Sequence, residues 1–234
     1  MMYGIRELLG YDLLGTDGQI GKLHEFYFSD EDWDILYLVA DTGRLLPGRK
    51  VLISPLVVHQ PHKPSRIVEL DISQEQIRAG SATTDQHALC HHMQIQLSRY
   101  YGWGDYAGRV VMPEAELNDK SSSVRPLLRA IVEVLGSSVQ GADGKIGHVE
   151  NCIVDDETWI IRYLVVRSTD PSRDAGTLLS PQWIDTLDWQ EPRFHVKFSR
   201  ETIRNSPEYD PSTPLTRDYE EKLYSYFGRL KYWI

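Results

Sequence analysis

The sequence predicts a mainly β protein with short helices, organised as two tandem small barrel-like modules, each followed by helical segments. Two observations carry this: an internal repeat, and a strand-like period inside each copy. Asp17-Gly18 recurs as Asp143-Gly144, an offset of 126 residues (143 − 17) that holds along the chain without net insertion or deletion. It pairs Ile5 with Ile131, Leu9-Gly10 with Leu135-Gly136, Ile20-Gly21 with Ile146-Gly147, and Tyr37-Leu38-Val39 with Tyr163-Leu164-Val165. It continues through Ser54-Pro55 with Ser180-Pro181, Ile77-Arg78 with Ile203-Arg204, and Gly102 with Gly228. A fixed period of this kind marks a duplicated structural unit. The copies span residues 1–108 and 129–234, joined by a linker at 109–128 whose Asn118–Ser123 stretch (NDKSSS) reads as flexible.

Each element follows in chain order. Asp-Gly between short extended runs signals a hairpin, because both central residues of a type I′ turn need positive φ. Gly21 and Gly147 fall inside the next strand, where glycine marks a bulge or the tight bend that closes a small barrel. Asp30-Glu31-Asp32 and Asp155-Asp156-Glu157 lack the ligand spacing and glycine of a calcium loop, so they are read as solvated turns anchored by Trp33 and Trp159. Trp33, Ile35, Tyr37 and Val39 alternate as one face of a half-buried strand, repeated by Trp159, Ile161, Tyr163 and Val165. Val68, Leu70 and Ile72 alternate again, as do Phe194, Val196 and Phe198. Ser73 and Ser199 predict N-caps of a short helix, with Glu75 and Glu201 in its first turn. A second helix carries an apolar stripe, Leu89, Met93, Leu97 and Tyr100 in copy one and Leu215, Tyr219, Leu223 and Tyr226 in copy two.

The runs GYDLLGTDGQIGKLHEFYFSDEDWDILYLVADTG, LPGRKVLISP and RYYGW, with GADGKIGHVENCIVDDETWIIRYLVV, LLSPQWI and NSPEYDP in copy two, together resemble the PRC-barrel family. In particular they resemble bacterial proteins with two tandem PRC-barrel domains. The resemblance implies a small β-barrel, shared with the cytoplasmic part of the photosynthetic reaction centre H subunit and the C-terminal domain of a ribosome-maturation factor. The H subunit's membrane helix and the maturation factor's N-terminal domain have no counterpart in the sequence, and fold alone does not set function.

Composition narrows the classes. The net charge of −9 opposes binding to phosphate backbones and anionic lipid, so no nucleic-acid partner is expected. No apolar run reaches the roughly 18–20 residues that span a bilayer, and the N-terminus lacks a signal-peptide pattern, so a cytoplasmic location is expected. Two cysteines, Cys90 and Cys152, occupy non-equivalent places in the copies and make no disulfide framework. Thirteen Tyr and six Trp call for burial in cores or at an interface.

Because the copies share one register, each serves as a control for the other. Asp85, His87, Cys90, His91 and His92 gather metal-capable side chains, with His87 and His91 at an i, i+4 spacing. Copy two has Pro211, Thr213, Thr216, Arg217 and Asp218 there, so no metal site is assigned. Gly43–Lys50 places Leu45 and Leu46 between Arg44 and Arg49, whereas copy two is polar at Thr169–Gly176; these four are candidate partner contacts, or a cover for the barrel's open end. Glu69 and Asp71 are answered by His195 and Lys197, a charge reversal that suits a contact between the modules. The sequence contains no nucleophile elbow, phosphate loop or dinucleotide fingerprint, and the Gly15–Gly21 run belongs to a hairpin rather than a strand-to-helix turn. The expectation is a non-enzymatic adaptor or assembly protein with no cofactor, an unidentified protein partner and homodimer formation. The alternatives are a small-ligand or redox-partner module in an electron-transfer setting like that of the H subunit, and a ribosome-associated assembly factor.

Overall fold

The computed structural model describes residues 1–43, 45–47, 50–79, 128–169 and 176–233. Its strands, in chain order, are β1 (Met2–Gly4), β2 (Asp12–Gly15), β3 (Gly18–Ser29), β4 (Ile35–Asp41), β5 (Lys50–Ile53), β6 (Ile67–Glu69), β7 (Leu128–Ala130), β8 (Ser138–Gly141), β9 (Gly144–Asp155), β10 (Ile161–Ser168), β11 (Thr177–Leu179), β12 (Ile184–Asp188) and β13 (Arg193–Val196). The helices are α1 (Ile5–Leu8), α2 (Gln74–Ala79), α3 (Ile131–Val134), α4 (Arg200–Arg204) and α5 (Arg217–Phe227). The protein is mainly β, with two curled, half-barrel sheets. No helix among the described residues is long and apolar enough to cross a membrane.

The chain forms two compact units, Leu8–Ile131 and Met1–Glu7 with Val132–Ile234. The first carries the sheet β5-β4-β3-β2-β6 with β7 added on β3; the second carries β11-β10-β9-β8-β13-β12 with β1 added on β9. Each unit therefore takes one strand from the other repeat. Met2, Tyr3 and Gly4 pair antiparallel with Asp155, Val154 and Ile153, while Leu128, Arg129 and Ala130 pair with Ser29, Phe28 and Tyr27, the same register displaced by the repeat. The cause lies in strand length. β3 has twelve residues but β2 only four, so the far end of β3 would expose unpaired backbone groups without an added strand.

An aspartate fixes each added strand. Arg129 Nε lies 3.2 Å from Asp30 Oδ2, and the α-ammonium of Met1 pairs with Asp156 Oδ1. The acidic turns are thus not simply solvated: Asp156 is buried, because the end of β1 lies against it.

The hairpin turns also differ from the type I′ expectation. Gly15 pairs with Gly18, leaving Thr16-Asp17 at the tip, and only Gly18 has positive φ (142°). The aspartate turns instead toward a helix: Asp17 Oδ1 accepts from Gln74 N–H at 2.6 Å and Asp143 Oδ1 from Arg200 N–H at 2.8 Å. Ser73 and Ser199 cap as predicted, each accepting at 3.1 Å from the N–H three residues on. Gly21 and Gly147 sit where strands approach too closely for a side chain, since an added Cβ would lie 2.0 Å from Asp41 O or 1.9 Å from Arg167 O.

Two further expectations are corrected. The strand predicted as half-buried is buried on both faces from Tyr37 to Ala40 and from Tyr163 to Val166. Trp33 and Trp159 precede it in left-handed turns (φ 62° and 55°) rather than in the strand. Burial of each indole offsets the strain that a bulky residue meets there. In α5 the buried face is Glu220, Leu223, Tyr224 and Phe227, an i, i+3, i+4, i+7 set, and Tyr226 from the expected stripe is 40% exposed.

Candidate functional site

The main polar cluster in the second unit lies beneath α5. Thr216 caps this helix by accepting from Tyr219 N–H at 3.3 Å, and Gly228 ends it in the left-handed conformation (φ 61°), so the chain turns back along the helix. That reversal brings Tyr232 to Glu220. Glu220 is 3% exposed, and its Oε1 accepts from Tyr163 Oη at 2.6 Å and Tyr232 Oη at 2.8 Å. Its Oε2 pairs with Arg217 at 2.9 Å. Every oxygen of the buried carboxylate is thereby engaged, as burial demands.

Aromatic faces and guanidinium groups enclose the cluster. Arg162 lies 4.3 Å from the Tyr232 ring centroid and Arg217 lies 4.3 Å from that of Trp233. Tyr224 meets Tyr163 and Trp233 edge-on at centroid distances of 6.5 and 5.1 Å. Burial, and then the hydrogen bond to Glu220, pushes the Tyr163 phenol far up and the Tyr232 phenol up to about 12. Both hydroxyls therefore stay protonated and donate at neutral pH. Arg162 reaches Asp155 Oδ2 at 3.3 Å and Thr158 Oγ1 at 3.1 Å, while its buried Nε has no hydrogen-bond partner among the described residues. Chemically the arrangement grips an aromatic ring that carries a hydroxyl.

Sequence reasoning did not single out Glu220, because a glutamate between apolar positions of a helix ordinarily faces solvent. The signal lay in the comparison of copies: Leu36, His91, Gln94 and Ser98 stand where copy two has Arg162, Arg217, Glu220 and Tyr224.

The predicted site residues fall elsewhere. Arg44, Arg49, His87, Cys90 and His91 lie outside the described residues. Leu45 and Leu46 are half-buried, and Thr42 Oγ1 donates to Leu46 O at 3.0 Å. Leu45 borders a cleft of about 310 Å³ together with Ile20, Gly21, Lys22, Asp41 and Thr42. Asp71 pairs with His59 at 2.8 Å, and at the positions displaced by the repeat Lys197 pairs with Asp185 at 2.6 Å. The charge reversal between copies is therefore accompanied by a reversed partner inside each unit. Glu69 is exposed and His195 half-buried. Cys152 is fully enclosed in β9, where burial pushes its thiol up and keeps it protonated.

No protein-family model matches this chain, and no curated protein matches it.

Proposed function

We propose that the chain is a non-enzymatic adaptor built from two tandem PRC-type barrels, with a protein as its partner. The observation that carries the reading is an asymmetry of exposed apolar side chains. Leu14 is 37% and Leu56 53% exposed in the first unit, and copy two has Gln140 and Gln182 at the same positions. The glycines, caps and buried strands are common to both copies and explain folding. An exposed leucine retained at a position where glutamine folds equally well is better explained by contact with another surface. The half-buried Leu45 and Leu46, where copy two has Pro171 and Ser172, add to the same side of the comparison.

The experiment is affinity purification from the native cell, in parallel for the wild type and a Leu14→Gln/Leu56→Gln variant. A protein retained by the first and lost from the second supports the adaptor reading. Equal recovery from both, or no partner with either, overturns it. Recovery of ribosomal or electron-transfer proteins would decide between the two settings that the family resemblance suggests.

A small-ligand module is the second reading, favoured by the cleft beside Leu45, whose volume of about 310 Å³ is at the lower end for such sites. Native mass spectrometry of the protein purified from its own cell tests this reading. A stable mass increment lost on Thr42→Arg supports it, and the bare chain mass opposes it.

A further inference from the structure

The segment after α5 contacts the second unit in a way that resembles a bound ligand more than a continuation of the fold. The described tail makes its last backbone hydrogen bond from Arg229 N–H to Tyr224 O at 3.0 Å. Beyond it Leu230 is 94% exposed, and residues 231–233 are held through side chains. Lys231 Nζ meets Glu221 at 3.0 Å, Tyr232 donates to Glu220 at 2.8 Å, and Trp233 lies under Arg217. Arg217 also donates to Tyr232 Oη at 3.3 Å, so this hydroxyl is bonded on both sides.

We infer that Arg162, Tyr163, Arg217, Glu220 and Tyr224 form a peptide-docking site for a basic segment carrying Tyr followed by an aromatic residue, occupied in cis by Lys231-Tyr232-Trp233 and open in trans to the same segment of a second copy. Three features support this. The acceptor for the tyrosine hydroxyl is a buried carboxylate already paired and oriented by Tyr163 and Arg217, so it is in place before the ring arrives. The two guanidinium groups present flat cationic faces to the two rings, an interaction worth most where water is excluded. The site is also specific to one copy, since Leu36, His91, Gln94 and Ser98 replace its members in the other although Tyr106 matches Tyr232. The inference does not depend on Leu14 and Leu56, so its failure and the failure of the adaptor reading are separable.

Tethering sets the competition. A short tail holds its own side chains at an effective concentration in the millimolar range, so a peptide in trans sees only the open fraction. The test uses the full chain and an amidated peptide of residues 229–233, Arg-Leu-Lys-Tyr-Trp, followed by calorimetry. A Tyr232→Ala/Trp233→Ala chain should bind this peptide at least about tenfold more tightly than the wild type does. A peptide with Phe in place of Tyr should lose about tenfold, because Glu220 Oε1 then keeps the Tyr163 hydroxyl but loses the second one. Equal binding to both chains, no binding to the folded double variant, or indifference to the Phe replacement would each overturn the inference. Should the double variant fail to fold, the single Trp233→Ala chain decides: it should bind the peptide at least about tenfold more tightly than the wild type does, and equal binding sinks the idea.

Discussion

Substituting Glu220 by alanine strips the acceptor from the buried Tyr163 hydroxyl and opens a void beneath α5. The expected cost is about 2–4 kcal/mol in denaturant unfolding, because a buried donor loses its partner while Arg217, half in water, can resolvate. Tyr163→Phe removes a hydrogen bond but no volume and should cost about 1–2 kcal/mol. At Gly147 the argument is steric. An added Cβ would sit 1.9 Å from a backbone oxygen that cannot rotate away, so Gly147→Ala should destabilise by roughly 1–3 kcal/mol, and Gly21→Ala by a similar amount. The exposed pair His59–Asp71 contributes less but reports a clear sign. The hydrogen bond to Asp71, helped by its charge, raises the His59 pKa above 6.5. A raised folded-state pKa means the pair's stabilisation is complete below about 6.5 and lost as pH rises through the higher value. Proton NMR should show His59 titrating late, and Asp71→Asn should return it; an unchanged midpoint would discredit the pairing.

At the scale of elements, the two copies were legible to the extent that local chemistry decides. Serine caps, the glycine where β3 crosses the end of β4, and the alternating β6 and β13 follow from period and propensity, and the structure bears them out. Where a side chain serves a distant element the reading went astray. Asp17 and Asp143 cap α2 and α4 instead of supporting a type I′ turn, and Glu220, which sequence reasoning did not single out, faces inward because β10 offers it Tyr163. The β9–β10 turn shows the same dependence. Burial alone would raise the Asp155 carboxyl, but the Glu157 N–H, the Thr158 hydroxyl and Arg162 outweigh burial and hold its pKa below 3.8. A lowered folded-state pKa adds stability that is present above about 4 and lost as pH falls through the folded value. Arg162→Leu, which installs the residue of the other copy, should move the Asp155 carboxyl titration upward when followed by carbon NMR; a fixed midpoint would show that Arg162 plays no part.

For the whole molecule, the consequence of the repeat that no local pattern announced is the exchange of strands. Hydrophobic period shows that Tyr3 and Ile5 belong in a core, but nothing in a period of two says which core; that choice falls to chain connectivity and to the open end of a twelve-residue strand. The exchange makes the stability of each unit depend on residues from the other half of the sequence. Deleting Met1–Gly4 removes no residue of copy two, yet it should uncover the far end of β9 together with Asp156, which loses its cation. Hydrogen exchange should then show protection falling at Asp156, whose N–H donates to Met1 O at 3.1 Å, while Tyr27–Ser29, still covered by β7, stay as protected as in the full chain. Arg129→Ala should act on the other unit, loosening Tyr27–Ser29 by about 1–2 kcal/mol because the partly buried Asp30 loses this guanidinium. The two perturbations together separate exchange from ordinary fraying. If deleting Met1–Gly4 loosens Tyr27–Ser29 instead, β1 pairs with its own repeat and the exchanged topology is wrong.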